Sequence, residues 1–200
     1  MSPARAPMRP GFAPCLLRGA ALPVRRLAFA SALLCVFGAP PSSAQKPAAF
    51  APNMVEITPR LVTSGQPSEK GLSTLGALGF EAVIYLAPPT VSDAVRDEAF
   101  IVGRQGLVFV DIPIRFDHPT EQDYETFAGV LDSFGTRKVL VHCQVNMRAS
   151  SMVFLYRVIA RGEDPNRAYD SVTAVWSPEG PWKRLIEDLL RKHNVKFDLY

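Results

Sequence analysis

The sequence predicts an α/β fold, in which a central and mostly parallel sheet of four to five strands carries helices on both faces. From residue 54 onward, short apolar segments alternate with segments of helical periodicity, an order typical of parallel sheets. Residues 82–86 and 139–142 are almost continuously apolar, as strands buried on both faces are. With 48% hydrophobic and 20% charged residues, the chain can form a packed core.

Each predicted strand is a short run of apolar or β-branched residues bounded by turn-forming residues. The first two runs flank Thr58-Pro59-Arg60, and Pro88-Pro89 follow the third. The predicted strands are 55–57, 61–63, 82–86, 107–112 and 139–142. Ligands of such sheets bind beyond the carboxyl ends of the strands, so the residues that follow them are the first candidates for a site.

Each predicted helix combines apolar spacing with a start or stop signal. Ser68 precedes a segment in which leucines recur every third residue. Thr120, with Asp123 three residues later, resembles a capping box, and Asp164 precedes Pro165 at a first helical position. The predicted helices are 68–79, 92–105, 120–134, 148–160, 165–175 and 181–192.

Residues 1–44 have the order of an export signal. A pair of arginines precedes an apolar run of twelve residues, 27–38, and small residues lead to Ala44. Such a run is too short to cross a membrane, which takes about 20 residues. We therefore expect cleavage after Ala44, a linker over 45–53 and one domain over 54–200. The expected product is periplasmic or secreted and has no stable membrane span.

The formal net charge of +3 comes from the predicted signal. Residues 1–44 contain five arginines and no acidic residue, so 17 basic residues face 19 acidic residues in the rest of the chain. A nucleic-acid partner would require a basic excess, and none is expected. The three histidines lack metal-ligand spacing, and the sequence has no glycine-rich nucleotide loop, so we expect neither a metal nor another cofactor.

The predicted strand 139–142 ends at Cys143, which would be the only cysteine left after signal removal. The cysteine begins a short loop that leads into a helix carrying Arg148. Loop amides at a helix start form a nest for anions, and the same field lowers the pKa of a cysteine from about 8.5. The fork of Arg148 matches two phosphate oxygens, and Asn146 tolerates the left-handed backbone of such a loop. This segment predicts an anion site with a reactive thiol.

The order of His-Cys, a short loop and Arg-x-Ser over residues 142–150 resembles the phosphate loop of cysteine-dependent protein tyrosine and dual-specificity phosphatases. Residues 63–67 (Thr-Ser-Gly-Gln-Pro) and 146–150 (Asn-Met-Arg-Ala-Ser) are similar to a group of small bacterial phosphatase-like proteins. That group is related to the domain of unknown function found with β-lactamase-fold hydrolases. The resemblance spans nearly all of 54–200 and implies a cysteine-phosphatase-like fold and, as substrate, a phosphorylated protein or small phosphate ester.

Carried over by position, the family mechanism makes Cys143 the nucleophile that attacks phosphorus. The residues that would bind the phosphate are Gln144, Val145, Asn146, Met147 and Arg148. Asp117, in the loop after the preceding strand, would protonate the leaving oxygen and later deprotonate water, with Asp111 as the alternative acid. Ser150 would hydrogen-bond the thiolate.

Two departures from the family pattern leave other functions open. Four residues separate Cys143 from Arg148, whereas tyrosine phosphatases have five and many rhodanese-like sulfurtransferases have four. The loop glycine of both families is replaced by Asn146. The spacing leaves open a rhodanese-like sulfurtransferase, and the missing glycine a non-catalytic oxyanion-binding module.

Overall fold

The structure is a computed structural model that describes residues 49–199. The export signal predicted over 1–44 and the linker residues 45–48 lie outside the described residues. Two short strands, β1 (Val55–Thr58) and β2 (Leu61–Ser64), pair antiparallel across Pro59-Arg60, because proline and its neighbours favour a turn there.

Three further strands complete the sheet: β3 (Ala82–Tyr85), β4 (Val108–Asp111) and β5 (Val139–His142). The strand order is β1-β2-β5-β3-β4, and every neighbouring pair after the first is parallel. All residues of β3 and β5 are buried, which explains why these segments are continuously apolar. The predicted mostly parallel sheet is confirmed, and β5 lies at its centre.

Helices connect the strands and cover both faces of the sheet. Within residues 49–199 the α-helices are α1 (Glu69–Leu72), α2 (Glu98–Gly103), α3 (Glu121–Ser133), α4 (Met147–Leu155), α5 (Pro165–Thr173) and α6 (Gly180–Lys192). Alternate strand residues point to opposite faces. Val83 and Leu140 pack with residues of α1 and α2, whereas Ile84 and Val141 pack in a larger cluster with α3 to α6. The predicted coverage of both faces is confirmed.

The first helix is shorter than predicted because a distant side chain interrupts it. Ser68 caps α1 as expected, with its Oγ accepting from the Gly71 N–H at 3.1 Å, but α1 ends at Leu72. The Gly76 N–H, which would donate to Leu72 in a continued helix, donates instead to Oε1 of Gln105 at 3.0 Å. Nε2 of Gln105 donates to the Leu72 carbonyl at 2.9 Å, so turns replace the rest of the helix.

The second helix is also shorter than predicted, since residues 92–97 form two turns joined by irregular backbone and only Glu98–Gly103 is α-helical. In the turn segment, Oδ1 of Asp93 accepts a hydrogen bond from Nε2 of Gln144 at 2.9 Å. Aspartate favours turns because its short side chain can hydrogen-bond nearby backbone groups when the chain is not helical. The contact ties this segment to the loop that follows β5.

The fourth helix starts at Met147, one residue earlier than predicted, and ends at Leu155. It continues as a π-helical segment, Tyr156–Ala160, whose end is marked by the Arg161 N–H donating to the Tyr156 carbonyl five residues back. No helix within residues 49–199 has the length and apolarity needed to cross a membrane.

Residues 49–53, predicted as part of a linker, pack against the domain. The ring centres of Phe50 and Phe80 lie 5.6 Å apart, and Ala51 is buried. The carbonyl of Pro52 accepts a hydrogen bond from the Gly65 N–H at 2.8 Å. The packed part of the chain therefore begins before residue 54.

Candidate active site

The carboxyl end of β5 places Cys143 at the middle of the sheet, between β2 and β3. The Cys143 N–H donates to the Ser64 carbonyl at 3.3 Å, so strand pairing extends to the first residue after β5. Cys143 is a free thiol without exposed surface. An oxyanion therefore reaches the sulfur only when neighbouring atoms move.

The loop 144–146 turns the chain from β5 into α4. Asn146 has a φ of 73°, in the left-handed region that asparagine tolerates better than most residues. Its Nδ2 donates to the Asn53 carbonyl at 2.6 Å and to Oγ1 of Thr63 at 3.1 Å. Asn146 thus supplies the backbone conformation for which a glycine would otherwise be needed, and its side chain anchors the loop.

Arg148, in the first turn of α4, is 4% exposed. Its Nε donates to the Ile114 carbonyl at 3.0 Å, and its guanidinium carbon lies 5.1 Å from the ring centre of Phe116, a cation–π distance. Among residues 49–199, neither terminal nitrogen of Arg148 has a hydrogen-bond partner. The side chain is therefore fixed through Nε while its outer N–H groups remain available to an oxyanion.

Asp117 lies in the loop after β4, where the acid was predicted, but its carboxylate binds Arg115. Nε and Nη2 of Arg115 donate to the two carboxylate oxygens at 3.1 and 2.7 Å. Hydrogen bonding from Arg115 holds the pKa of Asp117 below its usual value. Because the two side chains are 70% and 71% exposed, water screens the pair strongly and Asp117 can exchange its partner.

The Ser150 hydroxyl donates to the Met147 carbonyl at 3.2 Å, a bond within α4 of the kind that serines often form. In the part of the chain that the structure describes, no hydrogen bond joins Ser150 to the sulfur of Cys143. The other predicted loop residues differ in exposure, since Val145 is 44% exposed whereas Gln144 and Met147 are half-buried. Their side chains support the loop or face solvent, which leaves the backbone amides as the groups for anion binding.

A buried pair behind the nucleophile was not found from the sequence. Oε1 of Glu98 lies 2.7 Å from Nε2 of His142, with side-chain exposures of 5% and 0%. Oε2 of Glu98 accepts from Nε2 of Gln66 at 2.9 Å, and the Tyr85 ring stacks on His142 at 4.9 Å. Glu98 follows Arg96-Asp97 in a segment that reads as a solvated helix surface, so no local signal marks it.

The structure therefore brings together Cys143, the loop 144–146 and Arg148 at one end of β5. The segment that carries Asp117 also carries Ile114, whose carbonyl holds Arg148. Within the described residues, no hydrogen bond joins Arg148 or Asp117 to the sulfur. A thiol beside backbone amides and an available guanidinium has the groups needed for nucleophilic attack on a phosphate ester.

Comparisons with known proteins agree with this geometry. Residues 52–183 match the family model described as DSP-PTPase phosphatase fused to NAD+ kinase. A solved DUF442 protein from Shewanella putrefaciens CN-32, described as a candidate phosphatase, is 32% identical, covers 72% of this chain and 92% of its own, and superposes with a TM-score of 0.66. No curated protein matches the chain.

A more distant structure shares the fold. TpbA of P. aeruginosa, as a Cys-to-Ser variant in complex with pTyr, is 18% identical, covers 75% of this chain and 90% of its own, and has a TM-score of 0.55. The family match extends over more than half of the chain, and the DUF442 protein is similar over most of its length. The chain therefore belongs to the DSP-PTPase phosphatase family and is a hydrolase of the phosphatase type.

Proposed function

We propose that the protein is an exported, cysteine-dependent phosphatase that hydrolyses phosphate monoesters of the phosphotyrosine type through a phosphocysteine. The observation that carries the proposal is the position of Arg148. Its Nε is fixed on the Ile114 carbonyl while its terminal nitrogens remain available, and Arg148 lies five positions after the cysteine that follows β5. A guanidinium held in this way binds a phosphate with little loss of side-chain freedom.

In the first step, the thiolate of Cys143 attacks phosphorus, the S–P bond forms and the bond to the ester oxygen breaks. Asp117 gives its proton to that oxygen. In the second step, Asp117 takes a proton from water, the water oxygen attacks phosphorus, and the S–P bond breaks to release phosphate and the thiolate. Arg148 and the loop amides stabilise the charge on the non-bridging oxygens in both steps.

Two features of the resting site set conditions for this reaction. The carboxylate of Asp117 must leave Arg115, and a proton must be available to it. The buried sulfur of Cys143 must become accessible as the phosphate enters. Catalytic hydrogen bonds are often formed only in the complex with substrate, so a resting site with these contacts is compatible with turnover.

An aryl ester is favoured by the aromatic ring next to the arginine. Phe116 is 40% exposed and lies beside the guanidinium of Arg148. A phosphate bound by Arg148 would place its leaving group near this ring, and aromatic rings attract one another by about 0.5–1.5 kcal/mol beyond the burial of their surface. A phosphotyrosine side chain or a similar aryl phosphate would satisfy both contacts.

The first test is release of phosphate from an aryl phosphate by the purified protein and by Cys143→Ser. The wild type should turn over and Cys143→Ser should not, although the variant should keep its melting temperature. If neither aryl phosphates nor phosphoproteins are hydrolysed in a Cys143-dependent way, the proposal is wrong. For export, the N-terminal sequence of the protein from the periplasmic or secreted fraction should begin at Gln45.

The sequence also left open a non-catalytic oxyanion-binding module, which membership of the phosphatase family disfavours. Such a module predicts that phosphate or tungstate raises the melting temperature without any turnover. The four-residue spacing of Cys143 and Arg148 had left sulfur transfer open as well. Incubation with thiosulfate alone, followed by mass measurement of Cys143, tests it, since a sulfurtransferase would carry a persulfide and would transfer that sulfur to cyanide as thiocyanate when cyanide is added.

A further inference from the structure

The loop 144–146 is held from outside by Asn53, a residue of the segment predicted as a linker. Nδ2 of Asn53 donates to the Val145 carbonyl at 3.1 Å. In the opposite direction, the Asn53 carbonyl accepts from Nδ2 of Asn146 at 2.6 Å. Asn53 has a φ of 48° and Asn146 a φ of 73°, so two asparagines with left-handed backbone bind each other across 93 positions of the chain.

The contact from Asn53 acts on the peptide group between Val145 and Asn146. This group is planar and trans, so the Val145 carbonyl and the Asn146 N–H point in opposite directions. Rotation of the group by about 180° would reverse both of them. It would also bring φ of Asn146 to the negative values that L-residues prefer. The hydrogen bond from Asn53 opposes that rotation and stabilises the less favoured backbone state.

The orientation of this peptide group decides how the loop meets an anion, because an amide N–H attracts an oxyanion and a carbonyl oxygen repels it. Both carbonyls that precede Asn146 are occupied by donors from the first part of the chain. The Gln144 carbonyl accepts from the Gln66 N–H at 2.8 Å, and the Val145 carbonyl accepts from Asn53. Each is thereby kept from turning toward a bound phosphate.

We propose that Asn53 is a positioning residue that locks the 145–146 peptide in its anion-binding orientation. The inference rests on the proposed function of the loop. It also explains how a loop without glycine keeps a left-handed residue at position 146. Asn146 tolerates the conformation, and Asn53 makes it the stable one. The N-terminal segment that precedes β1 is then part of the site.

The test compares Asn53→Gly with Asn194→Gly in the full chain. Glycine at position 53 keeps the left-handed backbone and the carbonyl that Asn146 needs, but it removes the Nδ2 donor. Asn194 also has a left-handed backbone, with a φ of 57°, and it follows α6, away from the loop. Asn194→Gly therefore removes an asparagine side chain from the same backbone conformation without touching the site. The measurements are the dissociation constants of inorganic phosphate and tungstate, and kcat and KM on an aryl phosphate.

We expect Asn53→Gly to bind both anions about five- to tenfold more weakly, the effect of losing one hydrogen bond. KM should rise by more than kcat falls, and Asn194→Gly should bind as the wild type does. The ¹⁵N–¹H signal of Asn146 should move in ligand-free Asn53→Gly, which reports the peptide rotation directly. Asn53→Ala, which also lacks the donor, should reproduce the loss of affinity.

Equal anion affinity in Asn53→Gly and Asn194→Gly overturns the inference, even if Asn53→Gly is less stable. Reduced stability with normal affinity and an unmoved Asn146 signal shows a purely structural role and also overturns it. Failure of the wild type to bind either anion removes the proposed function of the loop first. The two failures are therefore distinguishable.

Discussion

The carboxylate of Glu98 and the imidazole of His142 form a buried pair, with Oε1 2.7 Å from Nε2. Glu98 begins α2 and His142 ends β5, so the pair ties a helix to the strand that delivers Cys143. His142 is in register with Tyr85, and Tyr85 with Asp111. A row of three polar residues thus crosses the carboxyl edge of the sheet directly behind the loop. Glu98 contacts the first of them, His142.

Replacement of Glu98 by alanine should destabilise the protein by about 1–3 kcal/mol, because Gln66 would lose its buried hydrogen-bond acceptor and His142 its buried neighbour. The free energy of unfolding in urea measures this loss. Glu187→Ala is the control, since Glu187 forms an exposed pair with Lys183 whose removal should cost below about 1 kcal/mol. Similar losses for the two variants would show that the buried pair contributes little.

Replacement of Arg115 by glutamine should change the pH dependence of hydrolysis. The pKa of Asp117 is lowered mainly by its hydrogen bonds from Arg115, so it should rise toward the usual aspartate value in Arg115→Gln. A general acid works in its protonated form, and the limb where kcat/KM falls with rising pH should therefore shift to higher pH. The measurement is the profile of kcat/KM on an aryl phosphate, with Asp117→Asn as control. If Asp117→Asn keeps full activity, Asp117 is not the acid.

Replacement of Asp111 by asparagine should stabilise the protein near neutral pH. Asp111 is exposed, but partial desolvation of its carboxyl, followed by the nearby charge of Glu98, raises its pKa. A carboxyl whose pKa is higher in the folded state binds protons more tightly there, so stability falls as pH rises through the interval between the unfolded and folded pKa values. Asp111→Asn should therefore melt at a higher temperature than the wild type at pH 7, and the difference should vanish near pH 3. If the rise in melting temperature is unchanged at low pH, ionisation of Asp111 is not its cause.

Replacement of Trp182 by phenylalanine should loosen the segment that carries Asp117. Trp182 is fully buried, and its Nε1 donates to the Phe116 carbonyl at 2.9 Å. The matched control is Trp176→Phe, because the buried Nε1 of Trp176 has no partner among the described residues. Loss of the hydrogen bond should make Trp182→Phe less stable than Trp176→Phe by about 1 kcal/mol, measured by urea unfolding. Equal stability of the two variants would contradict the role of the bond.

The elements that follow from local chemistry were predicted well. The strands β3 and β5 are buried on both faces, so they are continuously apolar and can be recognised from the sequence alone. The start of α3 was also predicted, since Thr120 and Asp123 cap it reciprocally through bonds of 2.8 and 3.2 Å. The long helix predicted over 68–79 was wrong because Gln105, about thirty residues away, takes the hydrogen bonds of Leu72 and Gly76.

The amino acids alone were enough to place a thiol, a loop and an arginine in order after a buried strand, because neighbours in the chain stay neighbours in space. Contacts between distant segments could only be known from the folded chain: Glu98 on His142 and Asn53 on the loop. Such contacts depend on burial and on backbone directions that many segments set jointly. A residue such as Asn53 carries no local sign of the partner it meets 93 positions later.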